Sequence, residues 1–208
     1  NPFSPNKTKK QKLLTWQMWI KVAIASVPAA IIGLLFNDIL DKIFYKPFPV
    51  AVMLIVYGVL FIVIENRNAG HRPSVNKIAD LSMSMPLWIG FFQMLALIPG
   101  TSRSGATIVG ALIIGVSREV AAEFTFFLAI PVMFGASLLK LIKFGFAFTA
   151  GEFGYLMLGC VVSFAVSIFA IKFLMSYIKK NDFKVFGYYR IVLGGLIVVV
   201  SLVQMVLA

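Results

Sequence analysis

Met85-Pro-Leu-Trp-Ile-Gly-Phe-Phe-Gln93-Met-Leu-Ala-Leu-Ile-Pro99-Gly100-Thr101-Ser102-Arg103-Ser104-Gly105-Ala-Thr107-Ile-Val-Gly-Ala-Leu-Ile-Ile-Gly-Val116 is the stretch on which the fold turns. It is apolar at both ends and interrupted in the middle by Pro99–Gly105. As helices rising 1.5 Å per residue, Met85–Ile98 would be ~21 Å long and Gly105–Val116 ~18 Å. The hydrocarbon core of a bilayer is about 30 Å thick, so neither piece spans alone. Two geometries remain: one broken crossing, or a re-entrant hairpin that leaves on the side it entered.

The rest of the chain explains why a bilayer is the right yardstick. Of 208 residues, 60% are hydrophobic and 13% charged, where a soluble domain carries about a quarter charged residues. The mean hydropathy of +0.94 agrees. Five runs are long enough to cross: Trp16–Phe36, Phe48–Ile64, Ala121–Leu141, Phe153–Phe173 and Tyr188–Leu207. Pro28 and Pro131 mark tolerated kinks in two of them. The expected fold is all-α, a polytopic integral membrane protein with five spans and one re-entrant helical hairpin. It forms a single membrane domain over residues 1–208, with 1–12 a polar, basic loop and 85–116 the hairpin.

Basic residues choose between the two geometries. Arg103 and the residues at or inside span ends (Lys21, Lys172, Arg190) are set aside. With a re-entrant hairpin, one side carries Lys7, Lys9, Lys10, Lys12, Arg67, Arg72, Lys77, Arg118, Lys179, Lys180 and Lys184, and the other Lys42, Lys46, Lys140 and Lys143. That is eleven against four; a single crossing would make it nine against six. Cytoplasmic loops are enriched in Lys and Arg. The hairpin is therefore expected to re-enter, with the head and the Asn66–Lys77 loop in the cytoplasm. The same distribution reads the net charge of +11 as an orientation signal rather than a nucleic-acid surface.

Non-helical backbone at membrane depth is tolerated only where protein or a wet cavity surrounds it. Pro99 and Gly100 end the first half-helix, and Ser104 is expected to cap the second. That second helix aims its free N–H groups and positive dipole end at the loop. Thr101, Ser102, Ser104 and Thr107 add hydroxyls and Arg103 a guanidinium. Apart from the hydroxyls, every group is a donor or positive, so the intended guest is an anion. An Arg at the bilayer centre costs about 2.5–3.5 kcal/mol even on a mild scale. No acid lies within fifteen residues of Arg103 to offset that cost, Asp80 and Glu119 being the nearest. Gly100-x-x-x-x-Gly105-Ala106-Thr107 echoes a Walker A loop but has Ala106 where the Lys must be, and a helix where the strand must be.

Other positions carry less. Gln93 could face the cavity or a neighbouring helix. Glu123 reads as interfacial, His71 as a solvated loop residue without partner ligands, and Cys160 as a lone thiol in an apolar run.

The segment Gln93–Ile108 resembles the second signature of the undecaprenyl-diphosphate phosphatases of the bacitracin-resistance family. So do Ser117-Arg-Glu-Val-Ala-Ala-Glu123-Phe-Thr-Phe and Ala129-Ile-Pro131, with Ser26-Val-Pro28-Ala-Ala, Ala170-Ile-Lys172-Phe-Leu and Tyr189-Arg190 extending the likeness over nearly the whole chain. The resemblance implies removal of the terminal phosphate of undecaprenyl diphosphate, regenerating the lipid carrier for peptidoglycan. It implies inverted repeats, each with a re-entrant hairpin, of which this chain would hold one and part of the other. It implies an active site facing outward from the cytoplasmic membrane and help from a divalent cation, Mg2+ or Ca2+. By motif, Arg103 would hold the diphosphate with Ser102, Ser104 and Thr107 beside it; Arg103, Ser102 and Ser104 would form the catalytic group, and Gly100, Thr101, Gly105, Thr107 and Gln93 would bind substrate. A homo-oligomer is compatible.

The family's other signature, a glutamate-rich stretch leading to a Ser-Ser-Thr-Gly-His run, has no counterpart here. The expectation is a family member lacking the N-terminal portion, with the metal ligands outside this chain and no metal site within it. The rival class is a transporter or flippase for a lipid phosphate or other anion, because half-helix N-termini near the midplane also hold transported anions.

Overall fold

The apolar runs become seven α-helices in a computed structural model, which describes residues 8–145 and 148–207. They are α1 (Lys9–Phe44), α2 (Pro47–Asn68), α3 (Ser84–Met94), α4 (Arg103–Ile113), α5 (Arg118–Phe144), α6 (Ala150–Ile178) and α7 (Lys184–Leu207). Five of them, α1, α2, α5, α6 and α7, are long and apolar enough to cross a membrane, and α3 and α4 are the short apolar pair. The chain is an integral membrane protein.

Helix starts follow from local chemistry. The Gln11 N–H donates to the Thr8 hydroxyl at 3.4 Å and the Thr8 N–H to the Gln11 side chain at 3.1 Å, a reciprocal cap. The expected loop over 1–12 is corrected by this cap: residues 9–12 are already helical, and residues 1–7 lie outside the described residues. Pro47 opens α2, where a missing N–H costs nothing. Thr149 and Glu152 form a capping box at α6. Both α1 and α5 continue through their prolines, Pro28 and Pro131.

Two helix pairs build the body. In the α2–α7 pair, backbones meet closely: a Cβ on Gly58 would stand 2.7 Å from the Gly187 carbonyl oxygen, and one on Gly194 2.8 Å from that of Ala51. Apolar attraction is weak between helices in lipid, so such small-residue contacts gain dispersion energy instead. The α1–α3 pair closes the same way, with Gly90 against the Ala25 carbonyl. Between the pairs sits α4, buried continuously from Gly105 to Leu112. By contrast, α6 is exposed along almost its whole length, burying only Ile178, as a lipid-facing helix can.

The hairpin re-enters. Its descending arm begins just after a 3-10 turn at Ile78–Asp80, and its ascending arm ends at a turn that pairs with the same loop. Val75 and Val116 form a β-bridge, and the Asn68 side-chain amide donates to the Leu112 carbonyl at 3.2 Å. Both ends of the hairpin therefore lie on one face. The arms differ in detail from the expected Met85–Ile98 and Gly105–Val116. The first tightens into a 3-10 turn at Leu95–Leu97, and the second runs from Arg103 to Ile113.

Candidate functional site

At the hairpin tip the chain reverses through Ile98–Ser102. Gly100 has φ +92°, and a Cβ there would stand 2.5 Å from the Val50 carbonyl oxygen, so the turn needs glycine on both counts. Ser102 follows at φ 61°, ψ 119°, the one non-glycine residue with positive φ among the described residues. That strain costs about 1–3 kcal/mol. In return Ser102 caps α4, its hydroxyl accepting from the Gly105 N–H at 3.3 Å. The cap expected at Ser104 is thus corrected to Ser102: the backbone turns helical two residues earlier, at Arg103. Ser104 is exposed on the first turn, its hydroxyl 3.4 Å from that of Ser102.

Thr107 is buried. Its hydroxyl donates toward the Arg103 and Ser104 carbonyls at 3.1 and 3.0 Å, and accepts from Thr125 of α5 at 3.0 Å. It braces the first turn of α4 rather than presenting a free donor. Thr101 is fully buried, and its hydroxyl has no hydrogen-bond partner.

Arg103 stands at the start of α4 with Nη1 buried and unpartnered. Its side chain lines a cavity of about 260 Å³ together with Ser104, Gly105, Thr125 and a second guanidinium, that of Arg190. Arg190 reaches from α7, donates to the Thr101 carbonyl at 3.1 Å and lies 5.5 Å above the ring of Phe61. Phe61, Phe126, Phe183 and Phe186 wall the rest together with Ile108, Ala122, Ala129 and Leu174. The cavity thus combines two arginines, the N-terminus of α4 and several aromatic rings. That is the shape of a receptor for an anionic head on an apolar chain.

Arg190 was set aside as a span-end residue in the sequence. The signal that could have found it is a guanidinium inside an apolar helix, weaker than for Arg103 because Asp182 stands eight residues away. Conversely, Gln93 is not brought to this cavity. Its amide nitrogen reaches the Ala25 carbonyl at 3.5 Å and its oxygen is buried without a partner, so it belongs to the α1–α3 contact. Gly100 serves the turn. Glu123 and His71 are exposed, as expected.

The Pro99–Thr107 tip sits inside a longer match. The family model for bacitracin resistance protein BacA covers residues 2–196. This chain belongs to that family. Relatives named Undecaprenyl-diphosphatase include one from Acetivibrio thermocellus, 61% identical over 197 residues, covering 95% of this chain and 72% of the relative. One from Enterococcus faecalis is 60% identical over 198 residues, 94% of this chain and 72% of its own length. Another from Desulfitobacterium hafniense is 58% identical over 198 residues, with 95% and 71% covered. Family membership extends the likeness from the tip to α1, α2 and α7, the elements that hold it.

The divalent cation implied by the resemblance does not fit the residues around Arg103. Among the described residues, the charged groups that line the cavity are Arg103 and Arg190, and no carboxylate lines it. Among the described residues no three His, Cys, Asp or Glu side chains gather as a metal site would need.

Proposed function

We propose that the protein acts in the hydrolysis of undecaprenyl diphosphate to undecaprenyl phosphate and inorganic phosphate. This recycles the lipid carrier for cell-wall synthesis and brings bacitracin resistance with it. The observation that carries the reading is the presence of both Arg103 and Arg190 in the lining of one largely apolar cavity, in a family whose relatives are named for that substrate.

Phosphoryl transfer through a loose transition state asks the protein mainly for positioning and charge neutralisation. Arg103 and Arg190 supply two forks for the oxygens of the diphosphate, and the first N–H groups of α4 supply its dipole end. Ser104 presents a hydroxyl to the same space, with Ser102 beside it. Thr107 and Thr125 hold the turn that aims them. The phenylalanines exclude water from the body of the cavity and accept the first isoprenoid units. The protein belongs in the bacterial cytoplasmic membrane, with the Arg103 cavity facing outward and the basic Asn66–Lys77 loop inside.

Phosphate release from undecaprenyl diphosphate by membranes of cells expressing the protein tests this. Arg103→Ala is expected to abolish the release attributable to the protein. Release that is unchanged by Arg103→Ala overturns the reading. Binding of the lipid without any release would point instead to a carrier.

A further inference from the structure

A second, larger cavity lies at the other end of α4, about 380 Å³ in volume. Ten residues of helix at 1.5 Å each put it about 15 Å from the Arg103 tip. Its wall comes from three separate segments: the loop after α2, the α4–α5 turn with the start of α5, and the end of α6. Each brings a cation, respectively Arg72, Arg118 and Lys179. Among the described residues, the only carboxylate of the lining is Glu119, 3.7 Å from Lys179 and exposed. Charge bias between membrane faces explains why basic residues sit on this side of the protein. It does not explain why three of them converge on one concavity.

The wall is also held in place. Arg118 donates through Nε to both oxygens of Glu65, at 3.0 and 2.9 Å, and also through Nη2. Glu65 is 1% exposed and holds the guanidinium, while Arg118 stays 40% exposed and lines the cavity. The loop carrying Arg72 is pinned by the Val75–Val116 bridge and by the Ser74 hydroxyl on the Gly115 carbonyl at 3.0 Å. With Glu65 counted, three cations face two carboxylates, and the set stays net positive. A fork pre-oriented in this way loses less freedom on binding an oxyanion.

We propose that this cavity binds a phosphate-bearing anion, either free inorganic phosphate or a lipid phosphomonoester head group. Leu112, Val116 and Ile178 give it an apolar shoulder compatible with the second source. The assignment is independent of the reading of the Arg103 cavity.

The test is protection of a cysteine in the wall. Asn76 lines the cavity and is exposed, so Asn76→Cys in a Cys160→Ser background can be labelled with a maleimide in purified protein. Inorganic phosphate, dioctanoyl phosphatidic acid and, as control, dioctanoyl phosphatidylcholine are added in turn. Labelling is expected to slow at least fivefold with phosphate, with phosphatidic acid, or with both, and the pattern identifies the source. Phosphatidylcholine should leave it unchanged. Protection should be lost in Arg72→Gln/Lys179→Gln and kept in Arg103→Ala. Should the double variant aggregate, Arg72→Gln alone carries the comparison. No protection by either phosphate compound, equal protection by phosphatidylcholine, or protection that survives loss of the cations overturns the proposal.

Discussion

The backbone N–H of Ser117 donates to the carbonyl of Val75 at 2.9 Å. One residue opens α5 and the other lies in the loop after α2, so the bond ties the end of the hairpin to the loop that precedes it. A chain that crossed the membrane between them would hold the two a bilayer apart. With the hairpin closed, α5 runs away from this face and α6 returns to it, bringing Lys179 beside the same loop.

That geometry predicts accessibility. In a Cys160→Ser background, single cysteines at His71 and Glu119 should behave alike toward an impermeant thiol reagent in whole cells. Cysteines at Tyr45 and Thr149 should behave in the opposite way. A difference between positions 71 and 119 would mean that Met85–Val116 crosses the membrane.

The paired guanidiniums predict a hierarchy of activity. Arg103→Ala and Arg190→Ala should each lower phosphate release by at least ~10²-fold, the range seen when one preorganised charge-stabilising donor is removed. Arg103→Lys should recover little, because a point charge does not replace a planar fork that grips two oxygens. Full turnover in this Lys variant, measured as kcat with undecaprenyl diphosphate, would mean that bidentate contact is not used.

Glu65 and Arg118 predict an asymmetry in stability. Glu65 is 1% exposed and Arg118 40% exposed, so their losses are not equivalent. Arg118→Leu leaves a buried carboxylate with only the Phe183 N–H at 3.2 Å for company, and should cost ~3 kcal/mol. Glu65→Gln leaves an arginine that can reach water, and keeps an acceptor for Phe183. Thermal unfolding in detergent should show the larger fall in Tm for Arg118→Leu.

Gly100→Ala should distort the tip. The added Cβ meets the Val50 carbonyl oxygen at 2.5 Å, on a backbone with φ +92° that alanine rarely adopts. The strain alone is about 1–3 kcal/mol. Because the turn aims Arg103, phosphate release should fall together with Tm. Gly145→Ala, with φ +78° but nothing within 4 Å, separates strain from collision and should lower Tm less while sparing activity.

What the sequence alone determined are the properties that a short window carries. Hydropathy over about twenty residues marks the spans, and a bilayer of fixed thickness marks Met85–Val116 as too short in each half to cross. The cost of a guanidinium in hydrocarbon makes Arg103 conspicuous without any neighbour being known. Positive charge summed over loops chooses the re-entrant path. The tertiary structure decided whatever depends on segments far apart in the chain. It turned Gln93 toward Ala25, drew Arg190 over Phe61 to the Thr101 carbonyl, and gathered Arg72, Arg118 and Lys179 around one cavity. Even the choice of Ser102 over Ser104 as the cap belongs here, since two serines in one loop are chemically equal candidates. Docking of Gly100 on Val50 accompanies the conformation in which Ser102, not Ser104, takes the cap. Helix pairing in lipid rests on close contact between particular small residues rather than on apolar surface, and which helix each small residue meets, Gly58 with Gly187 or Gly90 with Ala25, is set by the fold.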